Sequence, residues 1–133
     1  MGLTDLVLKE MRADGGIVSA YALASLLSAK LHRRIAPNSV YRVLYRLIDQ
    51  GVVQRLETRN GFVVCTETRG DIVAICSSCD EIIWVDGAAV HDQLHHIAKS
   101  ARFVPSRHIV EVIGFCSTCS REAEAATGAR AAL

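Results

Sequence analysis

Long apolar runs are missing from this chain of 133 residues. No stretch approaches the about 18 consecutive apolar residues of a membrane-spanning helix. The first residues, Met1-Gly2-Leu3-Thr4-Asp5, also lack the basic and apolar regions of a secretory signal peptide. We therefore expect a cytoplasmic protein, in a compartment that keeps thiols reduced and disfavours disulfides. The number of cysteines, five, would in any case leave one of them unpaired in a disulfide scheme.

The small net charge of +1 conceals an uneven distribution of charge along the chain. Residues 1–65 contain nine lysines and arginines against five acidic residues, whereas residues 66–133 contain six against nine. A basic half of this size indicates a polyanionic partner, most often nucleic acid. The acidic half contains four of the five cysteines and four of the five histidines, which indicates a metal.

Four of the cysteines form two Cys-x-x-Cys motifs, Cys76-Ser-Ser-Cys79 and Cys116-Ser-Thr-Cys119. Two such turns can supply the tetrahedral four-sulfur shell of structural Zn²⁺. The 36 residues between the motifs leave room for a helix, unlike the about 15–20 residues of common zinc ribbons. A redox-active dithiol and a pair of disulfides are the competing interpretations. The duplication, with no proline or glycine between the sulfurs, favours zinc.

Apolar residues recur at helical spacing in three segments of the first half. We predict helices that begin with Thr4 and Ser19 as N-caps and with Pro37 at N1. The third helix should end near Gln50, with Gly51 as its C′ residue. Opposite its apolar stripe lie polar residues at spacings of three and four: Ser39, Arg42, Arg46 and Asp49.

Two extended segments, residues 52–57 and 61–65, follow the third helix. Asn60-Gly61 is a strong hairpin signal because both residues tolerate positive φ. Three helices followed by a hairpin predict a winged helix-turn-helix, whose third helix enters the major groove of DNA. The alternative is a small helical domain with a merely solvated basic side.

The second half has the pattern of a β-β-α-β unit. Its strands are predicted at residues 72–75, 82–85 and 109–115, with a helix over 88–101. Both cysteine motifs would meet at one end of this sheet, where zinc would cross-link a small domain. We thus predict an α+β chain with a DNA-binding domain (1–66), a dimerisation domain (67–122) and a disordered tail (123–133). Pairing of the exposed sheet edges between two copies would give a homodimer.

A combination of motifs resembles the ferric uptake regulator (Fur) family of metal-dependent repressors. The motifs are Ser39-Val40-Tyr41-Arg42-Val43-Leu44 on the third helix, the Asn60-Gly61 hairpin and the two Cys-x-x-Cys turns. The resemblance extends from about Leu3 to Glu124. Within the family, the zinc uptake regulators are most similar, through three features: Gly16-Ile17-Val18-Ser19-Ala20-Tyr21, Cys65 at the end of the hairpin, and Arg107-His108-Ile109-Val110-Glu111.

The resemblance implies a homodimeric transcriptional repressor rather than an enzyme. Such a protein binds a palindromic double-stranded DNA operator when a regulatory metal is present, and it represses metal-uptake genes. It has no small-molecule substrate and no membrane partner. A thiol-based enzyme and a protein-binding adaptor are the rival functions, although an enzyme would not need a basic winged-helix half.

The resemblance also assigns major-groove contacts to Tyr41 and Arg42. Arginine can read guanine through O6 and N7, and a tyrosine ring can pack on a thymine methyl. Ser39 lies on the same side of the helix. Phosphate contacts, which fix register without reading sequence, are expected from the remaining basic residues: Arg33, Arg34, Arg46, Arg55 and Arg59.

The regulatory metal site implied by the resemblance is incomplete. Its ligand positions fall on Gln54, Cys65, Arg69 and Trp84, of which only the cysteine is a metal ligand.

Three interpretations of this gap stay open. A second Zn²⁺ or Fe²⁺ is bound by a shifted set, in which Cys65 is joined by Glu67 or Asp71, or in which His91 and His108 supply a further family position. Alternatively, the inducible site is lost and only structural zinc remains, or Cys65 is a redox-sensitive thiol. The neighbouring His95 and His96 cannot both face one metal, because adjacent helical positions diverge by about 100°.

Overall fold

The computed structural model describes residues 2–65, 72–106 and 108–127, the last five of these without their side chains. The chain divides into two compact units, residues 1–67 and 68–133. Within the described residues, no helix is both long enough and apolar enough to cross a membrane.

The first unit is a winged helix-turn-helix, as predicted. Three helices, α1 (Leu3–Asp14), α2 (Ala20–Leu31) and α3 (Pro37–Asp49), precede an antiparallel hairpin of β1 (Val53–Leu56) and β2 (Gly61–Val64). The apolar stripes of the helices and one side of the hairpin share a single core. Its most buried members are Val7, Met11, Leu27, Val40, Leu44, Leu47 and Phe62.

Most helix ends follow the sequence signals, with one exception. The Ser19 hydroxyl accepts a hydrogen bond from the Ala22 N–H at 3.0 Å and caps α2, and Pro37 opens α3. The predicted cap at Thr4 is wrong, because α1 already begins at Leu3 with Gly2 as its N-cap. The Gly2 carbonyl accepts the Leu6 N–H at 3.1 Å, so the first helical turn closes two residues earlier than expected.

A single side chain organises the turn between α2 and α3. The Ser28 hydroxyl donates to the Ala24 carbonyl at 2.7 Å and accepts from the Ile35 N–H at 2.9 Å. Ile35 is thereby held with its side chain in the core, at 7% exposure. The Ser28 hydroxyl therefore connects the last turns of α2 to the segment that leads into α3.

The hairpin forms where predicted, but its turn is of another kind. Leu56 pairs with Gly61, so the turn has four residues, and only Asn60 has positive φ, at 47°. Glycine is needed at position 61 because Ile17 lies close to the backbone there. A Cβ there would lie 2.6 Å from Cγ2 of Ile17, beside the Val18–Phe62 bridge that attaches the α1–α2 segment to β2.

The second unit contains the predicted β-β-α-β sheet. The central strand β3 (Ile72–Cys76) pairs antiparallel with β4 (Ile82–Val85) and parallel with β5 (Glu111–Gly114). The crossover between the parallel strands contains α4 (Ala88–Ser100). Val73 and Ile75 are each 1% exposed, so the small core of this unit is centred on β3.

A fifth helix, α5 (Ser117–Thr127), follows the second cysteine motif and was not anticipated. The sequence prediction was a disordered tail from residue 123, whereas the helix continues to Thr127. Alanine and glutamate are strong helix formers, and Gly128, which follows the last helical residue, has the lowest helix propensity in this segment. Residues 128–133 lie outside the described residues.

Candidate metal and nucleic-acid sites

The two Cys-x-x-Cys motifs come together at one end of the sheet of the second unit. Cys76 ends β3, and Cys79 belongs to the turn that leads towards β4. Cys116 follows β5, and Cys119 lies in the first turn of α5. The parallel pairing of β3 with β5, in which Cys76 is opposite Gly114, brings the motifs into register.

The geometry of the four sulfurs fits zinc. All four Sγ atoms lie within 4.8 Å of one another. The Sγ atoms of Cys79 and Cys116 are 3.8 Å apart, and two sulfurs on a tetrahedral zinc with Zn–S of about 2.3 Å are separated by about 3.8 Å. Backbone N–H groups of Cys116 and Cys119 donate to Sγ of Cys76 and Cys116, each at 3.4 Å. Such N–H···S bonds stabilise thiolates, which are the form that binds metal.

The pKa values of the thiols are spread apart by their mutual proximity. The Cys116 N–H, with further help from the Cys79 N–H, lowers the pKa of Cys76 to about 6. The sulfur of Cys116 raises the pKa of Cys119 to about 12. The pKa of Cys79 is also raised, because neighbouring sulfurs and burial outweigh the lowering effect of the Glu81 N–H. Several thiolates so close together need a cation, which is the role of Zn²⁺ in a four-cysteine site.

The exposed side of α3 carries the predicted DNA-contacting arginines. Arg42 and Arg46 are exposed, and Ser39 beside them is half-buried. Within the described part of the chain, neither arginine forms an ion pair. The guanidinium groups are thus available to an external anion.

Tyr41 belongs to a cluster of aromatic rings rather than standing alone on the helix. Its ring stacks on Tyr45 at 6.2 Å between centroids and meets Tyr21 and Phe62 edge-on at 6.3 and 6.1 Å. Tyr21 is 65% exposed and Tyr45 is 46% exposed, so the cluster forms part of the surface beside Arg42. The spacing of Tyr41 and Tyr45 signals their stacking, whereas the position of Tyr21 follows only from the packing of α2 against α3.

The other predicted phosphate contacts differ in their surroundings. Arg33 and Arg34 are exposed after α2, where His32 adopts the left-handed conformation that ends the helix, at φ 52°. Arg55 donates hydrogen bonds to the Tyr45 hydroxyl and to the Asn60 side chain. Arg59 is half-buried in the hairpin turn.

Three histidines lie together in the second unit. His91 and His95, one turn apart on α4, have ring centroids 5.4 and 5.9 Å from that of His108. Nε2 of His108 is inaccessible to solvent and has no hydrogen-bond partner among the described residues. His96 instead lines a shallow depression with Asp92, Gln93 and Ile97.

The spacing of these rings is close to that of a shared metal. Two imidazoles on one tetrahedral zinc, with Zn–N of about 2.0–2.1 Å, have centroids about 5 Å apart. Among the described residues, however, only the four cysteines already place three or more ligand atoms within 4.8 Å of one another. The histidine nitrogens therefore have to rotate towards a common point before they can bind one ion.

The remaining candidates for a regulatory metal are only partly among the described residues. Cys65 follows β2 in the first unit, is half-buried, and donates its N–H to the Val52 carbonyl at 2.8 Å. Glu67, Arg69 and Asp71 lie outside the described residues. The non-ligating Gln54 and Trp84 are half-buried on β1 and β4.

Comparisons with known proteins agree on one family. The profile of the ferric uptake regulator family matches residues 7–113. The zinc uptake regulation protein of Escherichia coli (strain K12) is 31% identical over 117 residues, covering 85% of this chain and 68% of that protein.

Two solved structures share the fold over most of their length. A zinc uptake regulator complexed with zinc and DNA has a TM-score of 0.77 and 32% identity, covering 90% of this chain and 81% of that chain. The holo form of XcZur has the same TM-score and 30% identity, covering 91% and 86%. Proteins of the matched family are transcriptional regulators and not enzymes. On its sequence and its fold, this chain belongs to the ferric uptake regulator family.

Proposed function

We propose that this protein is a metal-responsive, DNA-binding repressor of zinc-uptake genes and that it binds a palindromic operator as a homodimer. The observation that supports this best is the outward side of α3, where Arg42 and Arg46 are exposed without an intramolecular ion pair in the described chain. The same fold occurs, at 32% identity, in a regulator solved with zinc and DNA. A cytoplasmic location stays a prediction.

Structural zinc is proposed at the four cysteines Cys76, Cys79, Cys116 and Cys119. When bound, Zn²⁺ supplies a cross-link between the β3–β4 turn and the start of α5. The core of the second unit is small, so this cross-link replaces apolar burial that the unit lacks.

Dimerisation is proposed through the second unit, because so much of its apolar surface is exposed. The edge strand β5 exposes Val112 at 53% and Ile113 at 48%. No residue of α4 is buried. Unpaired strand edges and apolar patches of this kind are covered in stable proteins by a partner. Further exposed apolar residues of the unit are Ile83, Val85, Val90, Leu94, Ile97 and Phe115.

The DNA-binding proposal is tested by selecting duplexes from a random-sequence pool with the zinc-loaded protein. A palindromic consensus is expected, and fluorescence anisotropy then gives Kd for the consensus and for a shuffled duplex. Arg42→Ala should lose about 1–3 kcal/mol on the consensus and little on the shuffled duplex. An unenriched pool contradicts the proposal and favours a protein-binding adaptor, whereas an Arg42→Ala variant with unchanged preference contradicts base reading by Arg42.

A regulatory metal is proposed near His91 and His108, with His95 as an additional ligand from the next helical turn. If the metal binds the DNA-competent form tenfold better than the other form, it shifts the equilibrium by about 1.4 kcal/mol. Operator binding is to be titrated with Zn²⁺, Fe²⁺ and Mn²⁺, with Cys65→Ser beside the wild type. Binding that is independent of every metal favours structural zinc alone, and a response to oxidant that Cys65→Ser abolishes favours a redox sensor.

A further inference from the structure

The side chain of Arg55 on β1 connects the hairpin turn to α3. Its Nη1 donates to the Tyr45 hydroxyl at 3.1 Å, and its Nη2 donates to Oδ1 of Asn60 at 3.0 Å. Nε is buried without a hydrogen-bond partner in the described chain, and it lies 3.6 Å from a carboxylate oxygen of Glu57, an ion-pair distance. The guanidinium carbon is 6.0 Å from the centroid of Phe62.

Arg55 already donates hydrogen bonds within the first unit, unlike the exposed arginines of α3, Arg42 and Arg46, which form no ion pair in the described chain. Both terminal nitrogens of its guanidinium already donate to groups of the first unit, and its side chain is only 33% exposed. A planar fork with fixed donor directions suits the bridging of two acceptors, which a lysine ammonium cannot reproduce. The predicted phosphate contact would have to be made by the N–H groups that these two bonds leave free, from a side chain that is mostly covered.

Both acceptors belong to elements that the proposed function brings to DNA. Tyr45 is on α3 and stacks on Tyr41, next to Arg42. Asn60 holds the left-handed position of the hairpin turn, at φ 47°. Hydrogen bonds from Arg55 to Tyr45 and to Asn60 fix the hairpin turn relative to α3 before any DNA is present. Such preorganisation lowers the loss of conformational entropy on binding.

We propose that Arg55 is a positioning residue, which sets the angle of the hairpin turn against α3 through Tyr45 and Asn60 and does not itself bind phosphate. The proposal rests on DNA binding by the first unit. In the unbound protein, the hydrogen bonds of Arg55 to Tyr45 and Asn60, here called the Arg55 bridge, set the position of the hairpin turn relative to α3.

Charge-preserving variants separate a positioning role from a phosphate contact. Tyr45→Phe removes one acceptor without changing charge, and Arg55→Lys keeps the charge without the fork. Each should weaken binding to the selected consensus duplex about three- to tenfold, the size of the net effect of one ordinary hydrogen bond. The slope of log Kd against log salt concentration should stay at the wild-type value. The double variant should bind no more weakly than the worse single variant, because both changes break the same bridge.

Arg46→Ala is the matched control for a true phosphate contact, because Arg46 is exposed on α3. It should reduce the salt slope by about one. A spectroscopic readout on the free protein completes the test. In ¹⁵N NMR, Tyr45→Phe should change the Arg55 Nε–Hε signal and increase the mobility of the backbone amides of the hairpin turn, whereas Arg46→Ala should change neither.

Two outcomes would overturn the positioning role. One is wild-type affinity in Tyr45→Phe. The other is an Arg55→Ala variant whose salt slope falls by about one while Arg55→Lys restores both slope and affinity. Failure of the proposed function is distinct, because the wild type itself would then show no preference for the consensus over the shuffled duplex. Thermal melting with the wild-type midpoint identifies variants whose fold is intact.

Discussion

The sulfurs of Cys79 and Cys116 lie 3.8 Å apart although 36 residues separate them in the sequence. The contact depends on the parallel pairing of β3 with β5, which places the ends of the two strands side by side, Cys76 opposite Gly114. The cysteines that follow each strand are thereby brought together. Zinc at this position would connect the two ends of the β-β-α-β unit. We therefore propose that this site stabilises the second unit and is not the metal sensor.

Cys116→Ser should abolish tight zinc binding and unfold the second unit. Structural zinc sites contribute binding free energy of about 10–16 kcal/mol in small zinc-dependent peptides, which becomes folding free energy. Zinc content after dialysis should fall from one ion per chain to none. The fluorescence of Trp84, the single tryptophan and a residue of β4, should lose its cooperative thermal transition.

Cys65→Ser is the matched control for that experiment, because Cys65 lies outside the group of four sulfurs. It should retain one tightly bound zinc and the wild-type Trp84 transition. A Cys116→Ser protein that keeps its zinc, or a reversible disulfide in either motif of the wild type, would refute the structural role.

Ser28→Ala should destabilise the first unit by about 1–3 kcal/mol. The change leaves the Ile35 N–H without its acceptor in a part-buried turn, and an unsatisfied donor costs more than a lost exposed hydrogen bond. Urea unfolding followed by tyrosine absorbance reports this unit selectively, because all three tyrosines lie within it.

Ser25→Ala controls for the loss of a hydroxyl on the same helix. Ser25 is exposed on α2, so its substitution should change stability by no more than about 0.5 kcal/mol. Equal effects of the two substitutions would show that the hydrogen bonds of the Ser28 hydroxyl do not stabilise the helix-turn-helix.

Gly61→Ala should destabilise the first unit by about 1–3 kcal/mol through overpacking. The new Cβ would lie 2.6 Å from Cγ2 of Ile17 and 3.3 Å from the Val18 carbonyl. Because Gly61 has no positive φ, the cost is steric and not conformational. The same urea transition, followed by tyrosine absorbance, measures it.

A second-site change tests the steric origin of that effect. Ile17→Ala removes the clashing methyl, so Ile17→Ala/Gly61→Ala should be more stable than the sum of the single effects allows. Strict additivity of the two substitutions would point instead to a conformational requirement for glycine.

Much of the fold could be predicted because each element carries its own local signal. Ser19, Pro37 and Gly51 mark helix ends through backbone chemistry that acts within one or two turns. The two Cys-x-x-Cys turns identify a four-sulfur cluster because four cysteines with this spacing have few other arrangements.

What could not be predicted depends on contacts between distant residues. The sequence predicts Gly61 as a turn residue. In the structure, glycine is needed there because Ile17, in the segment before α2, leaves no room for a Cβ. The charge of Arg55 predicts a phosphate contact, whereas its bonds to Tyr45 and Asn60 follow only from the packing of the hairpin against α3. The α5 helix was not predicted, because the richness in alanine and the interrupting Gly128 favoured a disordered tail.

His108→Ala should weaken the response of operator binding to added zinc, whereas His96→Ala should not. Nε2 of His108 is solvent-inaccessible and unpartnered within the described chain. The centroid of the His108 ring lies 5.4 and 5.9 Å from the ring centroids of His91 and His95. Loss of one imidazole from a three-histidine site should raise the zinc concentration at half-maximal operator binding about tenfold or more.

The measurement is operator anisotropy in zinc-buffered solution, with protein that already holds its structural zinc. His96→Ala is the matched control, because His96 is on the same helix but lines a depression with Asp92, Gln93 and Ile97. Calorimetry of zinc added to the zinc-loaded protein should show one further site in the wild type and in His96→Ala, and none of comparable affinity in His108→Ala. If the titrations of wild type and His108→Ala superimpose, the histidine cluster is not the sensor. Metal-dependent operator binding that survives this change would then have to come from Cys65 and the residues that follow it.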